Sequence, residues 1–227
     1  MTELAHEGTP YAVVEEESPD LAARNLSTGA HLWASATAFF FIGFLFAYFY
    51  LRSLNNNAMW RPKHVDPSIT LGTILTACVV AAALLLRFGL ADQRAGRRSQ
   101  WRQKGGLALA LLVVAVALQI ALWASNGFGP TQGGYASVYM GWTAFLFVFL
   151  LGLIFWVETV VATAVRYRKV AVGDTPPPGH ASGDPHRMRH DIADPLSLLR
   201  AQLAAVAFYA QFLAGIAVIT WIILYLA

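Results

Sequence analysis

The chain has little charge and almost no cysteine. Charged residues make up 13% of its 227 residues, whereas soluble domains usually contain about 25%. The one cysteine, Cys78, excludes an internal disulfide and a thiolate metal cluster. The basic residues cluster beside the apolar runs and form no aromatic-interleaved surface of the kind that binds nucleic acid, so no nucleic-acid partner is expected. With 57% hydrophobic residues and a mean hydropathy of +0.51, the composition indicates a membrane protein.

Five long apolar runs predict five membrane-spanning helices. Each run is near or above the ~20 residues that cross a ~30 Å hydrocarbon core. They cover residues 32–51, 69–91, 107–124, 135–165 and 201–227. The predicted fold is an all-α integral membrane protein, a bundle of five transmembrane helices in a single membrane domain (residues 32–227). Residues 1–31 are expected to be an N-terminal tail, and residues 172–194, rich in proline, glycine and histidine, a cytoplasmic linker.

The distribution of basic residues predicts the orientation of the bundle. Thirteen of the sixteen lysine and arginine residues fall on one side of the predicted spans, and the other side has only Arg52, Arg61 and Lys63. Because basic loops stay in the cytoplasm, we expect a cytoplasmic N-terminus and an external C-terminus.

Local signals indicate where the spans begin and how they pack. Asp66 and Asp194 each precede a proline, which predicts that they cap the second and fifth helices with Pro67 and Pro195 in the first helical position. The second and third spans are rich in alanine, and small residues allow close helix contacts in lipid. We therefore expect these two spans to be interior.

Six polar side chains inside the spans are the candidate functional residues. They are Thr37, Arg87, Gln119, Thr143, Glu158 and Gln211. The threonines can bond to carbonyls of their own helices, and the glutamines are predicted to link helices or, less simply, to contact a ligand. Arg87 and Glu158 lie near the cytoplasmic boundary, where they are expected to pair, or Arg87 to extend to the headgroups. The alternative is that Glu158 handles protons or binds a ligand.

Histidine is missing from the spans, apart from His31 at a boundary. Haem or copper in a helical bundle requires inward-facing imidazoles, so this chain is expected to hold neither a cofactor nor a metal, and no catalytic residue is predicted. His186 and His190 are spaced to share a divalent ion only in a helix, which the composition around them disfavours.

Several segments carry a family resemblance that extends from about residue 32 to 226. The aromatic segment 39–49 precedes Trp60-Arg61-Pro62; Leu118-Gln119 is followed by Trp123, and Tyr135-Ala136-Ser137 opens the long fourth run. In this order the chain resembles subunit III of haem-copper cytochrome c oxidases, in a five-helix form without the family's first two helices. The chain departs from the family at three of these positions. Thr37 stands where the family has a membrane carboxylate, and Leu146 and Phe149 stand where it has two histidines in the fourth helix.

The resemblance implies a non-catalytic subunit of a respiratory, proton-translocating oxidase in a bacterial plasma membrane. Its expected partners are the catalytic subunit I and subunit II, which would carry haem and copper, and possible higher assemblies of the respiratory chain. The subunit would bind phospholipid and support oxygen access and stability of the complex. The alternatives are a transporter component, an oxidase assembly factor, or the equivalent subunit of a quinol- or nitric-oxide-linked oxidase.

Overall fold

The computed structural model describes residues 19–55, 60–170 and 195–226. Most of the expected N-terminal tail and the expected linker at 172–194 lie outside these residues. Within the described residues every element of secondary structure is a helix.

Five helices are each long and apolar enough to cross a membrane, which confirms the predicted number of spans. They are α1 (Pro19–Ser53), α2 (Ile69–Arg94), α3 (Arg98–Ser125), α4 (Gly134–Val170) and α5 (Pro195–Trp221), and α5 continues into a π-helical turn at Ile222–Leu226. Two helices begin well before their apolar runs: α1 at Pro19, inside the expected tail, and α3 at Arg98. At 1.5 Å per residue, the 35 residues of α1 extend ~50 Å, so its first turns project beyond the hydrocarbon core.

Contacts along α5 define the direction of its neighbours. Thr37 of α1 meets Tyr209, and Tyr135 of α4 meets Leu224 at the other end of the bundle. We call the end that contains the α2–α3 turn the basic end, and the end that contains Trp60 and Tyr135 the aromatic end. The helices α1, α3 and α5 run from the basic to the aromatic end, and α2 and α4 run back.

The central helix is α5, not α2 or α3 as expected. It packs on α1, α2 and α4, and half of its most apolar stretch is buried, against a third or less in the other helices. Helix α3 is peripheral, because Ala108, Leu112 and Ala115 are buried while Val113 and Val114 are exposed. Alanine content did not predict the interior, since an alanine-rich helix can bury one face only.

One of the two predicted helix caps differs in the structure. The N-cap of α2 is Ser68, whose hydroxyl accepts a hydrogen bond from the Leu71 amide at 3.4 Å. Asp66 instead pairs with Arg61 at 2.7 Å. Helix α5 begins at Pro195 as predicted, whereas Asp194 lies outside the described residues.

The turn between α2 and α3 brings these helices into close contact. Gly96 has a φ of +77°, the left-handed conformation that favours glycine. Above the turn, the buried Trp101 ring lies on Gly105, where an added Cβ would be 2.5 Å from the ring. A Cβ added at Gly89 of α2 would lie 3.5 Å from the same ring, so the α2–α3 contact depends on the room that Gly105 leaves for Trp101.

Candidate functional site

The six candidate residues occupy four separate places in the bundle. Arg87 and Gln211 meet in a groove at the basic end, and Gln119 and Thr143 line one internal cavity. Thr37 lies between α1 and α5, and Glu158 stands alone on the outer surface of α4. The structure therefore brings together two pairs and no single site containing all six.

Thr37 links α1 to the central helix. Its hydroxyl donates to the Trp33 carbonyl at 2.8 Å, as predicted for an intrahelical threonine. The Tyr209 hydroxyl lies 3.1 Å from the same oxygen. Because the threonine proton is already used, Tyr209 is the donor in this second bond. No local sequence pattern indicated Tyr209, which lies 172 residues from Thr37.

Gln119 and Thr143 line a cavity of about 10 Å³ between α2, α3, α4 and α5. Thr143 accepts from the Trp123 indole at 3.0 Å and donates to the Tyr139 carbonyl at 2.7 Å. The buried amide nitrogen of Gln119 has no hydrogen-bond partner among the described residues. A cavity of this size accommodates one water molecule, and this polar lining suits one. It is too small for an organic substrate.

A larger groove opens on α2 and α5 at the basic end. Its volume is about 680 Å³, and Arg87, Leu90, Ala91, Arg94, Ala95 and Gln211 line it. The Arg87 guanidinium donates to the Gln211 side-chain carbonyl at 3.0 Å. Arg94 is the last residue of α2, seven positions after Arg87 and on the same helix face. Among the described ion pairs, every carboxylate partner belongs to another cation, so these two arginines have no anionic partner there.

A second basic cluster lies nearby, and one buried carboxylate pairs with both of its cations. Asp92, with its side chain only 4% exposed, pairs with Arg97 at 2.6 Å and also with Lys104. The Arg97 backbone amide donates to the Asp92 carbonyl at 2.8 Å, so the same residues close the α2–α3 turn. This cluster was not predicted. Its signal in the sequence is a lone aspartate within the basic segment 87–104.

Glu158 does not pair with Arg87, so the predicted ion pair is wrong. Both α2 and α4 pack on α5, and the Arg87 guanidinium bonds to Gln211 of α5 instead. Glu158 is exposed on α4 and takes part in none of the described ion pairs. Its neighbours at helical spacing are Phe155, which is 69% exposed, and Ala162. The carboxylate therefore faces outward from an apolar surface.

The residues that carried the family resemblance assemble at the aromatic end. The Tyr135 amide donates to the Trp60 carbonyl at 2.9 Å, and the ring of Trp60 packs edge-on against both Tyr135 and Tyr48. The Tyr135 hydroxyl donates to the Leu224 carbonyl, and the Arg61 guanidinium lies 4.5 Å from the centre of the Tyr135 ring. The Trp60 loop thus joins α1, α4 and the end of α5.

No group of three or more histidine, cysteine, aspartate or glutamate side chains is placed to hold a metal ion in the described part of the chain. His31 bonds to the Ser27 carbonyl and stacks on Phe208. No protein-family model matches the chain, and no curated protein matches it.

Proposed function

We propose that the chain is a non-catalytic subunit of a multi-subunit membrane complex, namely subunit III of a respiratory haem-copper oxidase. The observation that carries the subunit role is Glu158, an acidic side chain exposed on the outer surface of α4. It lies eight residues before Arg166, about 12 Å along the helix and near the boundary of the hydrocarbon on the basic side.

An exposed carboxylate at this depth requires a partner. Charged side chains in spans cost several kcal/mol in lipid and are usually paired or turned toward protein. No described side chain of this chain pairs with Glu158, and its helical neighbours Phe155 and Ala162 are apolar. We infer that a cation or hydrogen-bond donor from a neighbouring subunit covers it. The apolar surface around Glu158 does not distinguish a neighbouring subunit from lipid, because either one covers such a surface equally well.

The filled interior favours a subunit over a transporter component. Along the central helix, Leu203, Val206, Ala210, Leu213 and Ala217 are all buried and apolar. The polar cavity at Gln119 holds about 10 Å³. A substrate path through the described bundle would have to displace this packing, and transport sites usually contain interrupted helices and polar groups near the midplane.

The oxidase assignment rests on the sequence resemblance alone. Trp60 and Tyr135, which carry the resemblance, contact each other and fix the Trp60 loop to the start of α4. In the proposed complex, subunits I and II hold the haem and copper centres. This chain packs on subunit I, binds phospholipid and supports oxygen access and stability, in a bacterial plasma membrane with its N-terminus in the cytoplasm.

Purification of the tagged chain from its native membrane tests the assignment. We expect haem and copper subunits to copurify, detected by haem absorption and by mass spectrometry of the companion chains. Glu158→Gln should lower the amount of chain retained in the complex and leave turnover per assembled complex near normal. Thr159→Ala, at the adjacent exposed position, is the matched control and should be retained normally.

Four results would contradict parts of the proposal. Purification without haem-bearing partners would exclude the oxidase subunit, and transient association during biogenesis alone would indicate an assembly factor. Equal retention of Glu158→Gln and the wild type would exclude the intersubunit contact. A fully assembled Glu158→Gln complex with selectively slow proton uptake would assign proton handling to Glu158.

A further inference from the structure

We propose that the internal cavity beside Gln119 binds one water molecule, which joins α3 to α5 through hydrogen bonds. This water accepts a hydrogen bond from the Gln119 amide and donates to the hydroxyl oxygens of Thr143 and Thr220, which line the same cavity. The inference does not depend on the oxidase assignment, because it uses only the interior of the described bundle.

The Gln119 side chain has a hydrogen-bond donor that the described protein does not use. Gln119 is 2% exposed and lines the cavity, and its amide nitrogen has no partner among the described residues. An unpaired buried donor destabilises a fold, so such groups are almost always paired with protein or with ordered water. The molecule that occupies this cavity must therefore offer a hydrogen-bond acceptor.

The two buried threonines of the cavity have the opposite need. Thr143 donates its proton to the Tyr139 carbonyl at 2.7 Å, and Thr220 donates its proton to the Ile216 carbonyl at 2.8 Å. Each of the two oxygens also accepts one hydrogen bond from a tryptophan indole. A hydroxyl oxygen has two lone pairs, so each threonine retains one. An occupant that donates protons would fill them.

These requirements together identify water. A water molecule accepts from the amide and donates two protons, whereas a metal cation has no lone pair for the amide hydrogens and an apolar molecule leaves every polar group unpaired. The cavity volume is about 10 Å³, which is close to the least that holds one water molecule. The lining also provides the two to four polar partners that a buried water usually has.

The water supplies a connection between two helices that the described side chains do not make. The side-chain hydrogen bonds of α3 to other helices go to α2 from Lys104 and to α4 from Trp123, and none of those described reaches α5. Helix α5 itself packs on α1, α2 and α4. A water shared by Gln119 and Thr220 therefore fixes the peripheral helix to the central one toward the aromatic end.

An experimental structure of the intact chain, purified with any subunits that remain bound, tests the site directly. We expect density for one water molecule about 2.7 to 3.2 Å from the Gln119 amide nitrogen and from both threonine oxygens. Four or more oxygen contacts near ~2.4 Å would identify a metal cation instead. A cavity without density, at a resolution that shows other internal waters, would exclude the proposal.

A double-mutant cycle tests the bridge in solution. Gln119→Met nearly keeps the size of the side chain without the donor, and Thr220→Val removes the hydroxyl at nearly constant shape. The two side chains share no described hydrogen bond, so coupling between them requires the water. We expect Gln119→Met to lower the melting temperature by ~2 to 4 °C. Thr220→Val should lower it further, because it also unpairs the Trp142 indole, and the double variant by clearly less than the sum.

Thr73→Val provides the matched control for this cycle. Thr73 also accepts from an indole, that of Trp221 at 3.0 Å, and donates to a carbonyl of its own helix, but it does not line the cavity. Its effect on the melting temperature should add to that of Gln119→Met without coupling.

Three results in solution would overturn the proposal. A higher melting temperature in Gln119→Met would mean that the cavity is dry, because the substitution would then remove an unpaired buried donor. Additive effects of Gln119→Met and Thr220→Val would exclude a shared water. Equal coupling with Thr73→Val would show that the coupling is not specific to the cavity. Haem copurification is a separate measurement, so failure here is distinct from failure of the oxidase assignment.

Discussion

The two basic clusters at the end of α2 differ in one group, a buried carboxylate. The Asp92 cluster contains Arg97 and Lys104, and its charges are paired within the protein. The groove cluster contains Arg87 and Arg94, with no described anionic partner. Both belong to the same segment of basic sequence. The position of the single aspartate thus determines which cations hold helices together and which have no carboxylate partner among the described residues.

The helix faces explain this separation. Asp92 is buried on the side of α2 that packs on α3, next to Gly89 and Trp101. Arg87 and Arg94 are exposed beside α5. Changes to the Asp92 cluster should therefore cost more stability than changes to the groove.

The largest expected effect is that of Asp92→Asn on folding. This substitution keeps the size of the side chain but leaves Arg97 and Lys104 without their carboxylate and weakens the closure of the α2–α3 turn. We expect a large loss of monodisperse protein after detergent extraction and a clearly lower melting temperature.

The control for this prediction is Asp66→Asn. Asp66 also pairs with an arginine, but its side chain is 68% exposed. Exposed ion pairs contribute ~0 to 1 kcal/mol, so this variant should melt close to the wild type. If the two variants lost the same stability, the distinction between a structural and a surface carboxylate would be wrong.

A smaller effect is expected from Gly105→Ala. This substitution disturbs the packing of Trp101 beside the Asp92 cluster and leaves the groove residues unchanged. The new methyl group would lie 2.5 Å from the Trp101 ring and 3.1 Å from Val161. Overpacking of this kind costs ~1 to 3 kcal/mol, measured here as the shift in equilibrium unfolding in mild denaturant.

Gly106→Ala is the matched control, one residue along the same helix. An added Cβ there meets no atom within 4 Å. Alanine is the better helix former by up to ~1 kcal/mol, so this variant should be as stable as the wild type or more so. Destabilisation by both substitutions would point to a general intolerance of α3 and not to contact with Trp101.

The sequence predicted the number of spans because hydropathy is a local property. It missed the starts of α1 and α3, since helical hydrogen bonding continues into the charged residues beyond the apolar runs. It also missed the central position of α5. Which helix is central depends on contacts between distant segments, such as Thr37 with Tyr209, and no local pattern encodes those.

The candidate residues were predicted from the sequence, but their arrangement was not, because it too depends on contacts between distant segments. All six polar residues were recognisable from sequence, but their pairing depends on the rotation of each helix about its axis. Arg87 meets Gln211 because α5 lies beside that face of α2, whereas Glu158 turns outward on α4. The Asp92 cluster is local enough to be inferred from spacing, yet its burial follows only from the close packing of α2 on α3.

The smallest expected effect is that of Gln211→Leu, which tests how much the groove cluster contributes to helix packing. The substitution removes the 3.0 Å bond to Arg87 and retains both arginine charges. Hydrogen bonds between membrane helices contribute ~0.6 kcal/mol on average, so the melting temperature should hardly change. Gln202→Leu, on the same helix and outside the groove, is the matched control and should melt like the wild type. A loss of stability close to that of Asp92→Asn would mean that the bond between Arg87 and Gln211 also holds two helices together, and the buried carboxylate would then not distinguish the two clusters.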